Sequence, residues 1–272
     1  MEWSMENIVH SIILSLLILV PVAYKWELNL KLIIIAGFFI GFFVGLVINI
    51  ITKFLDLNQL FELITSFILI ILISLSLLLI RFYRDPDRIP PEDRHIILSP
   101  ADGKVIYVKN IEEGKVPFSE KKGKKFPLND FVQSDVLSGS GYLIGIMMTY
   151  LDVHVNRAPI GGSISLLKHV KGLFISLKRK EAVIKNERVF TVINNGQFKV
   201  GIVQIASRLV RKIVPYLLEG QEVQKGERIG VIRFGSQVDL ILPDLRSLRI
   251  MVMPGTKVKA GISIVATFDD PI

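Results

Sequence analysis

The chain has 272 residues, with 33 Lys and Arg residues, 25 Asp and Glu residues and no cysteine. Half of the residues are apolar and the mean hydropathy is +0.49, which excludes a disordered chain and is unusual for a wholly soluble protein. The lack of cysteine excludes thiolate metal sites, thiol nucleophiles and disulfides. Only three of the basic and five of the acidic residues precede residue 81. The sequence therefore joins an apolar first third to a basic remainder that is long enough for one domain.

Residues 1–80 are predicted to form a helical membrane anchor. Leu32–Ile51 is a run of 20 residues without a charge, and Leu63–Ile80 is a run of 18. A helix rises about 1.5 Å per residue, so these runs are long enough to cross the roughly 30 Å of a bilayer's hydrocarbon core. Ile8–Tyr24 is a weaker candidate because it contains His10. The sequence leaves the anchor at two or three spans.

Positive charge is concentrated at one end of this anchor. Arg81, Arg84, Arg88 and Arg94 follow the last apolar run, whereas the short loop at the opposite end offers only Lys53. Cytoplasmic flanks of membrane spans carry the excess of Lys and Arg. We therefore expect a protein of the cell membrane whose large domain is cytoplasmic.

Residues 81–272 are predicted to form one mostly β domain with few helices. A Pro-rich linker, Asp85–Glu92, is followed by short β-branched or alternating runs that Gly and Asn separate. One amphipathic helix is predicted at Ser207–Leu218, and Gly114–Gly141 is interpreted as a long loop. The basic run Lys121–Lys125 in that loop is either a solvated face or a contact for anionic lipid. The predicted strands are Lys104–Val108, Tyr142–Met148, Val189–Ile193, Lys199–Ile205, Arg228–Phe234, Val238–Leu242 and Leu248–Val252.

An internal repeat stands near the end of the chain. The form Gly-x-x-Val-x-x-Gly-x-x-Ile occurs at Gly220–Ile229 and again at Gly255–Ile264. It predicts a turn, an inward Val, a Gly turn and an inward strand, as in the paired hairpins of biotinyl and lipoyl carrier domains. In those carriers a Lys commonly stands between two methionines, whereas here Met251 and Met253 enclose Val252. The repeat therefore predicts a barrel-sandwich hybrid with lipoyl-like hairpins but without carrier chemistry.

Three short motifs contain residues suited to acid-base or nucleophilic chemistry. Asp102 stands in Ser-Pro-Ala-Asp-Gly-Lys, His154 in Leu-Asp-Val-His-Val-Asn-Arg-Ala-Pro, and Ser236 follows Gly235 between the two repeats. Each motif alone is more typical of a turn or of a structural residue. Together, Asp, His and Ser are the components of an activated nucleophile. The flanking residues are not the Gly-x-Ser-x-Gly of a hydrolase elbow.

These motifs resemble the phosphatidylserine decarboxylase family. The likeness is greatest to its short-form branch with a Phe-Gly-Ser processing site, which includes archaeal archaetidylserine decarboxylases. The sequence departs from that branch at Ser207, where Gly usually follows the Ala, and from the longer-form branch at Arg157, where a second His stands. The likeness extends in chain order over roughly residues 80–245 and rests on Phe82–Pro86, Ser99–Gly103, Leu151–Pro159, Asn186–Arg188 and Gly226–Asp239.

The resemblance implies a proenzyme that cleaves itself. Ser236 would attack the carbonyl of Gly235, and the resulting ester would eliminate to leave two fragments. The larger would be residues 1–235, and the smaller, residues 236–272, would begin with a pyruvoyl group. The two fragments would remain together as a heterodimer.

The same resemblance implies the roles of two further residues. His154 would deprotonate the attacking hydroxyl, and Asp102 would orient His154, as in a serine hydrolase. The pyruvoyl group would capture the amine of a serine phospholipid as a Schiff base and accept the electrons released as CO2 leaves. His154 would also return the proton, because Arg157 replaces the second His. No metal, added cofactor or nucleic-acid partner is implied.

We therefore predict a membrane-bound decarboxylase that converts a serine phospholipid, of diacyl or archaeal ether type, to the ethanolamine phospholipid. Two alternatives stay open: a non-enzymatic membrane adaptor with a lipoyl-like barrel, and a membrane-bound serine hydrolase with an intact Ser236 side chain. The adaptor explains the anchor and the repeat but not the Asp102, His154 and Gly235 motifs. Whether Asp239 helps processing or caps a turn is also left open.

Overall fold

The chain divides into two compact units, Met1–Arg81 and Phe82–Ile272. The computed structural model describes residues 4–26, 28–55, 58–112, 115–117, 125–127, 139–177, 182–207, 212–233, 236–245 and 247–269.

Three long helices make up the first unit. They are α1 (Met5–Lys25), α2 (Leu30–Phe54) and α3 (Gln59–Phe82), whose last residue begins the second unit. Ser4 and Asn29 cap the first two helices by accepting hydrogen bonds from backbone amides. All three helices are long and apolar enough to cross a membrane. Of the two counts that the sequence left open, the structure therefore favours three.

A row of glycines lets α1 and α2 pack closely. Gly37, Gly41 and Gly45 recur at four-residue spacing on α2, and all three are buried. A Cβ on Gly41 would lie 2.6 Å from the carbonyl oxygen of Ser11, and a Cβ on Gly45 would lie 2.5 Å from the Cα of Ile8. Small residues at this spacing allow the backbones of membrane helices to approach each other. The glycine row is therefore the contact surface of α2 for α1.

The second unit is mostly β, as predicted. Among the described residues of this unit, a short helix, α4 (Ala182–Lys185), stands between two strands. The strands are β1 (Ile96–Leu98), β2 (Gly103–Ile111), β3 (Lys115–Pro117), β4 (Lys125–Pro127), β5 (Gly141–Met148), β6 (Val155–Arg157), β7 (Gly162–Val170), β8 (Arg188–Asn194), β9 (Lys199–Ile205), β10 (Ile213–Pro215), β11 (Glu222–Val223), β12 (Arg228–Ile232), β13 (Ser236–Pro243), β14 (Arg249–Ile250), β15 (Lys257–Val258) and β16 (Ile264–Thr267).

Within the described residues, the strands form one large sheet and three small ones. The large sheet has eight antiparallel strands in the order β11-β7-β8-β9-β13-β5-β2-β15. Two three-stranded sheets have the orders β1-β16-β14 and β10-β12-β6, and β3 pairs with β4. The strand β13, which begins at the predicted cleavage site, therefore lies in the middle of the large sheet.

Buried side chains cover both faces of the large sheet. Val238, Leu240 and Leu242 of β13 belong to the larger apolar cluster, whereas Ile241 belongs to a second cluster that includes Phe190. Successive side chains of a strand point to opposite faces. The core is therefore built from two layers that the large sheet separates.

Each predicted strand overlaps an observed one, although Leu248–Val252 is reduced to β14 and β12 ends at Ile232, with Phe234 outside the described residues. The predicted helix at Ser207–Leu218 does not agree with the structure. Ile213–Pro215 is β10 and pairs with β12, while residues 208–211 lie outside the described part of the chain. Pro215 has no backbone N–H and would break a helix at this point. The apolar spacing reflects burial of Ile213 and Leu217 in the core of the second unit. Within the predicted loop Gly114–Gly141, β3 and β4 form a short hairpin.

The two copies of the repeat have turns at matching positions. Val223 and Val258 are both buried, as the repeat predicted. Ile229 is buried too, but Ile264 is 39% exposed, so the inward position predicted for Ile264 is wrong. In β16 the buried side chains are instead Val265 and its neighbour, opposite an irregular register in β1. The left-handed backbone conformation, which glycine adopts most readily, occurs at matching positions of the two copies, Gly220, Gly226, Gly255 and Gly261.

Candidate active site

The predicted cleavage site lies at the start of β13. The backbone of Ser236 begins this strand and pairs with Met148 of β5. Phe234 and Gly235 lie outside the described residues, and so does the Ser236 side chain. The preceding strand, β12, ends at Ile232 in a different sheet. The predicted scissile bond therefore lies between two strands of different sheets.

His154 lies immediately before β6 and is buried, with 1% of its surface exposed. Its Nδ1 is 2.9 Å from the carbonyl oxygen of Asp152. Because a carbonyl only accepts hydrogen bonds, the proton of the neutral ring belongs on Nδ1. The other ring nitrogen, Nε2, is buried and has no hydrogen-bond partner within the described part of the protein. This nitrogen is therefore a proton acceptor without a bound donor.

Burial lowers the pKa of His154 to about 4, because the charged imidazolium loses its hydration. The hydrogen bond to the carbonyl of Asp152 and the charges of Asp152 and Asp102 oppose this shift, while the charge of Arg84 adds to it. The ring is consequently neutral at pH 7. A neutral imidazole is the form that acts as a general base.

Asp102 is also buried, and its carboxylate is held by Arg88. The Arg88 guanidinium donates two hydrogen bonds, from Nη1 to Oδ1 at 2.5 Å and from Nη2 to Oδ2 at 2.9 Å. The backbone N–H of Ala260 donates to Oδ1 at 2.8 Å. Since Asp152 occupies Nδ1 of His154, Asp102 reaches His154 through its charge rather than through a hydrogen bond. The orienting role of Asp102 stays a prediction.

Two buried amide side chains lie beside the residue that pairs with Ser236. The Gln204 Nε2 donates to the Asn156 Oδ1 at 2.8 Å, and the Asn156 Nδ2 lies 4.0 Å from the Met148 Sδ. Asn156 and Gln204 are 0% and 1% exposed. Gln204 is a polar residue in the otherwise mostly apolar end of β9, which is the sequence signal that marks it, whereas Asn156 stands between Val155 and Arg157 in β6. They add buried hydrogen-bonding groups to the site.

Arg157, which stands where the longer-form branch has a second His, ties three segments together. Its guanidinium donates to the carbonyl oxygens of Gly226 and Pro86, each at 3.0 Å, and lies 3.3 Å from the Asp85 carboxylate. A guanidinium stays protonated and does not exchange protons near neutral pH. Arg157 therefore connects these segments, and His154 stays the predicted acid-base histidine.

Asp239 belongs to a separate buried cluster within β13. The Tyr107 hydroxyl donates to Oδ2 of Asp239 at 2.7 Å, and Gln237 Nε2 donates to Oδ1 and to the Tyr107 hydroxyl, each at 2.7 Å. Burial raises the pKa of Asp239 to about 7, and burial beside this carboxylate raises the pKa of Tyr107 well above its usual value. Asp239 lies inside a strand, so the interpretation of Asp239 as a turn cap is wrong.

Known proteins match most of the second unit of this chain. The family model described as phosphatidylserine decarboxylase matches residues 75–266. A Methanothermobacter thermautotrophicus protein named as an archaetidylserine decarboxylase proenzyme is 40% identical over 200 residues, which cover 74% of this chain and 85% of its own length. A Methanocaldococcus jannaschii protein with the same name is 42% identical over 201 residues, covering 74% of this chain and 95% of its own.

A bacterial relative has a related name. It is the phosphatidylserine decarboxylase proenzyme of Pelodictyon phaeoclathratiforme, and it is 36% identical over 187 residues, which cover 69% of this chain and 77% of its own length. The family match includes the Asp102, His154 and Ser236 motifs. The chain therefore belongs to the phosphatidylserine decarboxylase family, and it is a carboxy-lyase proenzyme.

Proposed function

We propose that this protein is a pyruvoyl-dependent decarboxylase that cleaves itself between Gly235 and Ser236 and then converts a serine phospholipid to the ethanolamine phospholipid and CO2. The observation that carries the proposal is the His154 Nε2, a buried, neutral and unpartnered base nitrogen within the described residues. The backbone N–H of Ile232, four residues before Ser236, donates to the carbonyl oxygen of His154 at 3.2 Å. The base therefore lies next to the strand that leads into the cleavage site.

Cleavage requires a base that takes one proton from Ser236. In the proposal, Nε2 of His154 accepts the hydroxyl proton as Oγ attacks the carbonyl of Gly235. The peptide C–N bond breaks, the amine takes up the proton, and an ester links Gly235 to the serine oxygen. In the elimination, the Cα proton of Ser236 passes to water, the Cβ–Oγ bond breaks and the Gly235 carboxylate leaves, which gives dehydroalanine. Dehydroalanine then adds water and loses ammonia to become the pyruvoyl group. Every atom is supplied by the chain and by water.

The residues around the start of β13 fit such a group. When present, its ketone supplies the electron sink that loss of CO2 requires. The chain's own residues must then fix the group, exclude water and return a proton to the substrate. Position 236 pairs with Met148 of β5, and the next residue, Gln237, pairs with both β5 and β9. His154 is the proposed proton donor, and the buried amides of Asn156 and Gln204 are the proposed polar contacts for the head group.

The strand pairing supports a lasting complex of the two fragments. Residues 236–272 contribute β13, β15 and β16, which pair with β5 and β9, with β2 and with β1, respectively. All of these partner strands belong to residues 1–235. Separation of the fragments would therefore expose strand edges in two sheets.

The substrate and the location follow from the family and from the helices. The names of the relatives include both phosphatidylserine and archaetidylserine, and the reacting serine head group is common to the two. Three helices that can cross a membrane would keep the protein at the surface where such a lipid resides. We propose that residues 82–272 face the cytoplasm, since Arg81, Arg84, Arg88 and Arg94 follow the last span.

One comparison tests the reaction. The full-length chain, purified in detergent, should give two bands on a denaturing gel, and the residue 236–272 fragment should have a blocked N-terminus and a mass that matches a pyruvoyl terminus. Ser236→Ala should give one uncut and inactive chain, whereas the control Ser140→Ala, at an exposed position, should cleave normally. Decarboxylation by an uncut chain, or cleavage of Ser236→Ala, would contradict the proposal. An intact, inactive wild-type chain would favour the adaptor.

A further inference from the structure

The sequence predicts a linker at Asp85–Glu92, but in the structure side chains of the segment Phe82–Arg88 reach the site. Phe82 contacts His154, and Arg88 binds Asp102. Between them, the Arg84 Nη1 donates to the carbonyl oxygen of Leu151 at 2.8 Å. The segment therefore contacts both His154, to which the resemblance assigns the acid-base role, and Asp102, to which it assigns the orienting role.

Salt bridges hold this segment in one place. Asp85 lies 3.3 Å from the Arg157 guanidinium and 2.6 Å from that of Arg228. Asp87 lies 2.7 Å from a second nitrogen of Arg228. A segment that is fixed at several points along its length can hold a side chain in a set position against its neighbour.

Phe82 is the residue of this segment that covers the imidazole. It is 2% exposed, although Tyr83 beside it is 58% exposed. The centroids of the Phe82 and His154 rings are 4.1 Å apart, with 38° between the ring planes. A phenyl ring offers no hydrogen-bond partner to a ring nitrogen, and at this distance no water molecule fits between the two rings.

We propose that Phe82 is a positioning residue of the decarboxylase site, which covers one face of the His154 imidazole and keeps water away from it. The proposal rests on the proposed function, because it assigns a purpose to a base that self-cleavage requires. In this proposal Phe82 acts through His154, whose ring it contacts. Its aromatic ring supplies the dry surface that favours the uncharged base.

A change in pH dependence follows from this arrangement. The charged groups that act on His154 are Asp152, Asp102 and Arg84, and burial outweighs them in lowering the His154 pKa to about 4. Removal of the Phe82 ring would hydrate the imidazole and move its pKa back toward the ordinary value of about 6.5. The pH below which cleavage slows should therefore rise by about one to two units.

The first test measures self-cleavage. Wild-type, Phe82→Ala and Phe82→Leu chains are made by cell-free translation into nanodiscs, transferred to buffers from pH 4 to pH 8, and assayed for the fraction cleaved against time. The midpoint of the acid limb should rise by about one to two pH units for Phe82→Ala and by less for Phe82→Leu, which keeps part of the cover. Equal slowing at every pH, with the midpoint unchanged, would overturn the proposal.

A matched control is Phe268→Ala. Phe268 is also buried, at 5% exposure, and its ring lies 5.9 Å from that of a different histidine, His95. This variant loses a ring of the same size from the same unit, and its cleavage midpoint should stay at the wild-type pH. A midpoint that moves as far for Phe268→Ala as for Phe82→Ala would identify a general loss of stability and overturn the proposal.

The second test does not depend on cleavage. The uncut Ser236→Ala chain is labelled with nitrogen-15 at its histidines, and the His154 resonances are identified by their loss in His154→Gln. Adding Phe82→Ala should raise the titration midpoint of the His154 resonances by about one to two pH units. An unchanged midpoint would overturn the role of Phe82. If the midpoint rises but the wild-type chain never cleaves, the role of Phe82 stands and only the proposed function is contradicted.

Discussion

The Tyr107 hydroxyl lies 2.7 Å from the Asp239 carboxylate, although the strand β5 separates β2 from β13. The contact is possible because Gly145 of β5 stands between the two residues and pairs with both. The Tyr107 ring fills the space that a side chain at Gly145 would need, since a Cβ there would lie 2.6 Å from Cε2 of the ring. A side-chain contact thereby joins the two predicted fragments across an intervening strand.

Gly145→Ala should break this contact. The added methyl group forces the Tyr107 ring away, and the Asp239 carboxylate loses a hydrogen-bond donor. We expect the free energy of unfolding to fall by about 1–3 kcal/mol, as is typical of overpacking in a core. Chemical denaturation of the full chain in detergent, followed by tyrosine and tryptophan fluorescence, measures this change. The control is Gly161→Ala, whose Cβ would be 3.4 Å from its nearest neighbours, and an equal loss in both variants would contradict the prediction.

Asp239→Asn should change how stability depends on pH. Burial raises the Asp239 pKa from 3.8 to about 7, so the folded chain binds this proton more tightly than the unfolded chain does. The contribution of Asp239 to stability therefore falls as pH rises from about 4 to about 7. His154 contributes the opposite trend between about pH 4 and pH 6.5, because its pKa is lowered.

The wild type and Asp239→Asn both contain His154, so the difference between their pH dependences of stability is due to Asp239. The free energy of unfolding, measured at pH 5, 6, 7 and 8, should fall less with rising pH in Asp239→Asn than in the wild type. Asp244→Asn, at an exposed position, is the control and should match the wild type. Parallel curves for Asp239→Asn and the wild type would show that Asp239 does not titrate in this range.

His154→Ala should impair both stages of the reaction. The substitution removes the nitrogen that accepts the Ser236 proton, and loss of a general base slows a reaction by roughly 100-fold or more. Most of the chain should remain uncut on a denaturing gel, and any cleaved fraction should release labelled CO2 slowly. His169→Ala is the control, since His169 is exposed and bonds to Glu187. Full cleavage with normal turnover in His154→Ala would remove this residue from the mechanism.

Arg88→Gln should destabilise the second unit by leaving the buried Asp102 carboxylate without its guanidinium. Breaking a buried ion pair costs about 3–5 kcal/mol, whereas removing both charges costs much less. The double variant Arg88→Gln with Asp102→Asn should therefore unfold at a higher denaturant concentration than Arg88→Gln alone. Arg94→Gln, an exposed arginine of the same region, should match the wild type. A double variant that is no more stable than Arg88→Gln would show that Arg88 does not act through Asp102.

The orientation of the membrane anchor is tested by proteolysis. Protease added to intact, right-side-out cells should leave residues 82–272 undigested, because the positive charges after the last span favour a cytoplasmic location. Lysis of the cells should then expose the domain to the same protease. Digestion before lysis would reverse the assigned orientation.

Local patterns were sufficient for the helices and most strands. A membrane span must satisfy its backbone polar groups within its own helix, so run length and lack of charge predict it. The helix predicted at Ser207–Leu218 was wrong because the local pattern was not sufficient there. Four-residue spacing of buried residues is ambiguous over so short a stretch, and pairing of β10 with the distant β12 decided the outcome.

The sequence by itself determined the apolar anchor, the mostly β domain and the motifs that contain Asp102, His154 and Ser236. Only the tertiary structure decided what surrounds these residues. It pairs Arg88 with Asp102 and packs Phe82 against His154. The hydrogen-bond partners and the burial of a side chain depend on which distant segments are in contact. Local sequence patterns do not predict those contacts. The pKa of a buried base is therefore a property of the fold, whereas the presence of the base is a property of the sequence.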